Sequence, residues 1–213
     1  MKTVVFKKVN GIYKIPMYVR FHAGRRKYFF EYEGKLFDRE ITTDDKEVRQ
    51  ISLLTTALNI KDKKERLSYV YDKACDLLDE DFFSKNLCEF RNGKCINDRK
   101  YNKLGGGCCC DSAHHEYMCP HLSKQGCTIR CLACKLHVCN TLKKKGYRYH
   151  INDIYVLKYL LNEKQKIMIH NDFFMTKEEV LKDVIRNSII LWSFTNKKRF
   201  VKYNLNKKSK GKI

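Results

Sequence analysis

The chain has 213 residues and a formal net charge of +20, from 44 Lys and Arg against 24 Asp and Glu. Hydrophobic residues make up 43% of the sequence, which excludes a disordered chain and favours a globular protein of one or two domains. Eleven cysteines are the most unusual feature, because packing alone does not require thiols at that density.

Neither an export signal nor a membrane span is predicted. The N-terminal stretch MKTVVFKKVNGIYK lacks the apolar run and cleavage site of a signal peptide. The longest apolar runs, such as 189–192, are far shorter than the roughly 20 residues that a span requires. We therefore expect a cytoplasmic protein with reduced thiols, no membrane contact and no disulfide-linked partner.

Residues 1–41 predict an antiparallel β-meander. Apolar residues alternate on both sides of two turn signals, Asn10–Gly11 and Glu33–Gly34. Pro16 predicts an edge strand or a bulge. The meander carries a basic face, which consists of Lys7, Lys8, Arg20, Arg25, Arg26 and Lys27.

Residues 42–87 change to helical periodicity. Thr43 is expected to cap a first helix, and a second helix begins at Asp62 and ends near Lys85. Cys75 lies on the apolar face of the second helix, and we interpret it as a buried core thiol. The apolar face of the first helix consists of Val48, Ile51, Leu54 and Leu58.

The rest of the chain divides into three segments. Residues 88–146 form a cysteine-rich region with little periodicity, and residues 147–196 predict two or three helices. One of these helices begins with a capping box at Thr176 and Glu179. Residues 197–213 form a basic tail that we expect to fray. The predicted fold class is α+β, with a β-meander, central helices, a metal-stabilised irregular region and C-terminal helices.

The spacing of the cysteines from Cys119 to Cys139 is typical of metal ligands. Cys131 and Cys134 form a C-x-x-C pair, Cys127 and Cys139 flank it, and Cys119 is close enough to replace any of the four. Four thiolates satisfy either zinc or a 4Fe–4S cluster, and ligand type alone does not separate the two. The C-x3-C-x2-C spacing and the basic surroundings favour the cluster slightly.

An upstream set of cysteines predicts a second metal site or redundant ligands, so that one or two sites are expected. Adjacent cysteines point in different directions, and only one or two of the triplet at 108–110 are expected to bind. Among the nearby histidines, His121 is the best candidate for replacing a thiolate, and the others are better explained as surface residues. The upstream cysteines are Cys88, Cys95, Cys108, Cys109 and Cys110.

The runs Cys119-Pro-His-Leu, Gly126-Cys127-Thr-Ile and Ala-Cys134-Lys-Leu-x-x-Cys139 resemble the cysteine-cluster proteins of YkgJ type. This resemblance covers residues 88–145 and implies zinc or iron chelation. Two departures are a shorter gap between Cys127 and Cys134 and the extra Cys131 within that gap. The whole arrangement also resembles cysteine-rich proteins of clostridial type, and that resemblance implies no activity.

The sequence therefore predicts a metal-cluster protein with a structural, redox or sensing role. The first alternative is a nucleic-acid-binding module with a structural metal. The positive charge also allows an acidic protein as a partner. In this alternative, helices at 154–170 and 177–190 would form a helix-turn-helix, although the linker at 171–176 is longer than usual. The basic residues assigned to nucleic acid are Lys143, Lys144, Lys145, Arg148, Lys197, Lys198 and Arg199.

The second alternative is a cluster-dependent modifying enzyme, because modules of this kind resemble domains attached to protein methylases. The sequence contains no glycine-rich phosphate loop, no nucleophile elbow and no HExxH, so we assign no catalytic residue. The spacing of Cys127, Cys131 and Cys134 is also that of radical S-adenosylmethionine enzymes. We do not expect that class, because the sequence after Cys134 predicts helices and a basic tail, not a β/α barrel.

Overall fold

The computed structural model describes residues 2–85, 87, 90–91, 94–95, 122–123 and 126–197, with backbone alone at 90–91, 94–95, 122–123, 126–127 and 140–141. The chain divides into two compact units. The first unit comprises Met1–Asp76 and His150–Ile167, and the second comprises Leu77–Tyr149 and Met168–Ile213. The fold is α+β, as predicted.

The first unit holds a small mixed sheet and the helices that follow it. Helix α2 continues from this unit into the second, and so does α6. Two 3-10 helices, Val19–His22 and Ile151–Asp153, also belong to it. The other elements are β1 (Thr3–Phe6), β2 (Lys8–Val9), β3 (Ile12–Tyr13), β4 (Lys27–Tyr32), β5 (Lys35–Phe37), α1 (Lys46–Asn59), α2 (Lys63–Ser84), α5 (Tyr155–Leu160) and α6 (Glu163–Asn171).

The second unit contains short hairpins and helices. Strands β6 and β7 pair antiparallel, and so do β8 and β9. Residues 189–197 are helical and are called α8 below. The remaining elements are β6 (Phe90–Arg91), β7 (Lys94–Cys95), β8 (Leu122–Ser123), β9 (Gly126–Cys127), α3 (Leu132–Leu136), α4 (Asn140–Lys144) and α7 (Lys177–Arg186).

The predicted meander is wrong in one pairing. Both turn signals form hairpins, β2–β3 at Asn10–Gly11 and β4–β5 at Glu33–Gly34, with all four φ angles positive as a type I′ turn requires. However, β1 pairs with β4 in parallel, which gives a mixed sheet of order β1-β4-β5. A parallel pair needs a crossover, and residues 7–26 supply it. Pro16 lies in that connection outside any strand, where its carbonyl accepts a hydrogen bond from Val19 N–H.

Helix α1 packs on the sheet through the predicted apolar face. Val48, Ile51, Leu54 and Leu58 are all fully buried. The N-cap is Asp45 and not Thr43, because Asp45 directly precedes the first helical residue and its Oδ1 accepts from the N–H groups of Glu47 and Val48 at 2.9 and 3.1 Å. Cys75 is fully buried on α2, which confirms the predicted core thiol.

Gly24 allows the chain to approach the end of α1 closely. Its φ is +73°, and a Cβ there would lie 2.9 Å from the Cα of Lys61. We expect Gly24→Ala to lower the free energy of unfolding by at least about 2 kcal/mol, from left-handed strain and steric overlap together. Gly11→Ala is the matched control, because φ is +79° but nothing lies within 4 Å. Gly11→Ala should lower the free energy of unfolding, measured in urea, by about 1 kcal/mol. Equal losses in the two variants would contradict the steric argument.

The C-terminal helices differ from the predicted spans. Asn162 and Gln165 form a reciprocal capping box, with each side chain accepting from the other's backbone N–H at 3.0 Å. The helix expected at 154–170 is therefore two helices, α5 and α6. The Thr176–Glu179 capping box is confirmed. Helix α7 ends at Asn187 with φ +56°, so the helix predicted at 177–190 is also interrupted.

Candidate metal centre

Only part of the predicted ligand set lies within the described residues. The side chains of Cys131, Cys134 and Cys139 are described, whereas Cys127 in β9 and Cys95 in β7 are described by backbone alone. The other predicted ligands lie outside the described residues; they are Cys88, Cys108, Cys109, Cys110, Cys119 and His121. The glycine run at 105–107, which predicts a flexible break in the chain, lies outside them as well.

Cys131 and Cys134 come together at the start of α3. Cys131 is the N-cap residue with an extended backbone, and Cys134 follows on the first helical turn. The thiol of Cys134 hydrogen bonds to the sulfur of Cys131, and its backbone N–H does the same. The C-x-x-C spacing therefore places two sulfur atoms side by side at a helix N-terminus, where backbone N–H groups favour negative charge.

A second segment, residues 172–175, completes the surroundings of the Cys131 sulfur. The backbone N–H groups of Phe174 and Met175 hydrogen bond to this sulfur, and Phe174 has a φ of +62°. In the protonated form, Cys131 donates to the carbonyl oxygen of Asp172 at 3.1 Å. The sulfur is thus faced by three backbone N–H groups, those of Cys134, Phe174 and Met175.

These hydrogen bonds change the acidity of the thiol. The side-chain hydrogen bond from Cys134 lowers the pKa of Cys131 most, and the three backbone N–H groups lower it further. Burial acts in the opposite direction, and the net result is a pKa of about 7 in place of 9.0. Because Cys131 is fully buried, this acidity comes from fixed hydrogen bonds and not from solvent.

A titration of reduced, metal-free protein should show this acidity. The pKa is lower in the folded state than in the unfolded chain, so the stability contributed by the thiolate is fully present above about pH 9 and is lost as the pH falls through about 7. The free energy of unfolding should therefore rise between pH 7 and 9. The ultraviolet thiolate absorbance that Cys131→Ser removes should titrate with a midpoint near 7, and a midpoint near 9 in this difference would contradict the arrangement.

Apolar side chains enclose this pair. Ile129, Ala133, Phe173 and Phe174 pack with Cys131 and Cys134 in one cluster. His137, which follows α3, places its ring 6.0 Å from that of Phe173 in an edge-on arrangement. Burial of this ring lowers the pKa of His137, and the positive charges of Lys143 and His170 lower it further. His137 is exposed as a whole residue, and the lowered pKa favours the neutral imidazole, the form that binds metals.

Cys139 lies in a different cluster. It packs with Leu87, Val138, Leu142 and two aromatic residues, Phe82 and Tyr149. Within the part of the chain that the structure describes, no three His, Cys, Asp or Glu residues come together in a group that could hold a metal ion. Among the described side chains, the structure therefore brings together Cys131 and Cys134 of the predicted ligands, and the other predicted ligands stay predictions.

A buried ion pair fixes the position of α3. The ammonium group of Lys135 is almost fully buried and pairs with the carboxylate of Asp79 near the end of α2. Tyr149 donates a hydrogen bond to Asp81, two residues further along α2, at 2.9 Å. These two contacts attach both ends of the segment 131–149 to one helix, and they hold Cys131 and Cys134 in place.

The predicted basic residues form an exposed stretch that begins in the last turn of α4. Lys143, Lys144, Lys145 and Arg148 are all exposed. Gly146 ends the helix in a Schellman motif, with φ +87° and hydrogen bonds from Gly146 and Tyr147 N–H back to the carbonyls of Lys143 and Leu142. Lys197 is exposed at the end of α8, and Lys198 and Arg199 lie outside the described residues.

Sequence reasoning missed the contribution of residues 172–175. Their backbone groups contact the Cys131 sulfur from more than 40 positions along the chain. Every residue except proline has a backbone N–H, so the residue type does not show which N–H will act as a donor. Phenylalanine rarely adopts a positive φ, so the conformation of Phe174 was not predictable either. The capping box that starts at Thr176 was the one nearby signal, because it fixes where the preceding loop must end.

Comparisons with known proteins identify no family. No protein-family model, no curated protein and no solved structure matches this chain. Among the residues described, no helix is both long enough and apolar enough to cross a membrane.

Proposed function

We propose that this is a cytoplasmic metal-cluster protein, related to the cysteine-cluster proteins of YkgJ type, in which Cys131 and Cys134 hold zinc or a 4Fe–4S cluster. The observation that carries the proposal is the buried Cys131 sulfur, which packs beside Cys134 and faces three backbone N–H groups that lower the pKa of the thiol. A thiol must lose its proton to bind a metal, and N–H donors around the sulfur stabilise the bound thiolate.

The charge of the surrounding sequence supports the same proposal. A zinc ion or a 4Fe–4S cluster with four thiolates carries a net charge near −2. No acidic residue occurs between Glu116 and Asp153, whereas Arg130 and several lysines do. Cys127, Cys139, Cys119 and His121 are the nearest candidates along the chain for the remaining ligands. The role of the centre is structural, redox or sensing, and the clustered ligands fit each of these.

Anaerobic purification followed by metal analysis tests the proposal. We expect either a coloured protein containing iron and acid-labile sulfide in equal amounts, or a colourless protein with stoichiometric zinc. The slight preference for iron and sulfide rests on the C-x3-C-x2-C spacing. A protein purified and reconstituted under these conditions that holds neither metal would overturn the proposal.

The exposed basic stretch supports a second candidate function, nucleic-acid binding. Replacing Lys143, Lys144 and Lys145 by glutamine should weaken binding of a labelled oligonucleotide and lower the slope of log affinity against log salt by up to about 3. The control carries the same charge change at three exposed lysines on separate segments, Lys35, Lys164 and Lys182. Equal effects of the two triple variants would count against a specific surface at 143–148.

A further inference from the structure

Three large side chains are exposed within five residues of the first unit. Met17, Tyr18 and Phe21 expose 58%, 53% and 62% of their surface, whereas Val19 between them exposes 1%. Val19 anchors the 3-10 helix Val19–His22, and its carbonyl accepts a hydrogen bond from the hydroxyl of Tyr28 at 3.4 Å. A single exposed apolar residue needs no explanation, but a contiguous set on a fixed backbone indicates an interaction surface.

An arginine and a histidine side chain lie against the two aromatic rings. The Arg20 guanidinium lies 4.7 Å from the centroid of the Phe21 ring, and the His22 ring meets the Tyr18 ring edge-on at 6.1 Å. Arg25 follows and is exposed. The first 30 residues of the sequence contain no acidic residue. Three lysines of the predicted basic face are paired with carboxylates, as Lys7 with Glu31, Lys8 with Asp45 and Lys27 with Asp38, whereas Arg20 lies against the Phe21 ring.

We propose that Tyr18, Arg20 and Phe21 form a stacking platform for single-stranded nucleic acid, with Arg25 placed to contact phosphate. Exposed aromatic rings stack on unpaired bases, arginine adds cation–π and phosphate contacts, and stacking tolerates any base sequence. A duplex does not offer its base faces to such a platform. A bilayer fits less well, because a four-residue 3-10 helix is too short to lie on a membrane with one continuous apolar face. This proposal does not depend on the metal centre.

Fluorescence anisotropy of the full-length protein with labelled oligo-dT and oligo-rU of about 15 nucleotides tests the platform. We expect the Tyr18→Ala, Phe21→Ala variant to bind at least about tenfold more weakly, from the loss of two stacked bases. Phe21→Tyr should bind like the native protein, and Phe21→Leu should bind several-fold more weakly, because leucine keeps apolar area but has no aromatic face. Native affinity in Phe21→Leu and in the double alanine variant would overturn the proposal.

The matched control removes exposed apolar area elsewhere in the same unit. Ile12 and Leu36 are exposed to a similar extent, so Ile12→Ala, Leu36→Ala should leave binding unchanged. Loss of binding in the Lys143, Lys144 and Lys145 glutamine variant with native binding in the platform variants would place the nucleic-acid surface in the second unit and overturn this proposal. Tighter binding to a duplex than to the single strand would do the same, as would binding to anionic vesicles alone.

Discussion

The Cys131→Ser, Cys134→Ser double variant is expected to lose the proposed metal and the stability that this metal would give to the cysteine-rich region. Serine is a far weaker acid than the Cys131 thiol, whose pKa of about 7 results from fixed N–H donors, and its oxygen is a poor ligand for soft metal sites. Metal content should fall to less than about a tenth of the native value. The loss of stability should reach several kcal/mol, because structural metal sites contribute their binding free energy to folding.

Metal analysis and chemical unfolding measure these two effects, and hydrogen exchange shows whether residues 88–145 lose protection. Cys75→Ala is the control, since Cys75 is a fully buried thiol on α2 with no predicted role as a ligand. It should keep its metal and cost about 1–2 kcal/mol from the lost side-chain volume. Native metal content and native stability in the double serine variant would show that neither cysteine is a ligand.

Local signals predicted much of the first unit and could not predict how its sheet is paired. Asn10–Gly11 and Glu33–Gly34 each specify a hairpin through their own backbone preferences, and the apolar face of α1 follows from its 3.6-residue period. The parallel pairing of β1 with β4 joins Thr3 to Lys27, and no neighbouring residue specifies that partner. The connecting segment also forms the 3-10 helix Val19–His22, whose alternating apolar residues had suggested a strand.

At the candidate site, too, the sequence predicted contacts between near neighbours and not contacts between distant segments. The C-x-x-C spacing predicted that Cys131 and Cys134 act together, because three residues of separation on a helical turn bring their side chains to one side. The donors from Phe174 and Met175 were not predictable, because they are backbone groups placed by tertiary structure. The flanking Cys139 packs with Leu142 and Tyr149 in another cluster, and its role as a ligand stays a prediction.

Asp172 connects the surroundings of the Cys131 sulfur to the C-terminal helix. It is fully buried, and its Oδ1 accepts hydrogen bonds from the Trp192 indole N–H and the Asn196 amide, both at 2.7 Å. Its backbone carbonyl accepts from the Cys131 thiol, and its backbone N–H donates to the carbonyl of Met168 at 3.0 Å. One residue therefore joins the end of α6, the thiol pair and α8.

Replacing Asp172 by alanine should destabilise the protein and loosen the metal centre together. The variant leaves the Trp192 and Asn196 donors without their acceptor, so the free energy of unfolding should fall by about 2–4 kcal/mol. Asp172→Asn keeps an acceptor oxygen and should lose about half as much. Trp192 is the only tryptophan in the chain, so its emission should shift in the alanine variant as the indole N–H turns to solvent.

The Asp172→Ala variant also shows whether residues 172–175 affect metal affinity or only the stability of the fold. Because residues 172–175 aim two N–H groups at the Cys131 sulfur, a displaced segment should weaken metal binding about 10- to 100-fold, as loss of a supporting hydrogen bond does at other metal sites. Glu178→Ala removes an exposed carboxylate from α7 in the same unit and should change neither stability nor metal affinity by a measurable amount. If Asp172→Ala is less stable but keeps native metal affinity, residues 172–175 support the fold alone. If Asp172→Ala is as stable as the native protein, the hydrogen bonds to Trp192 and Asn196 do not contribute the expected ~2–4 kcal/mol.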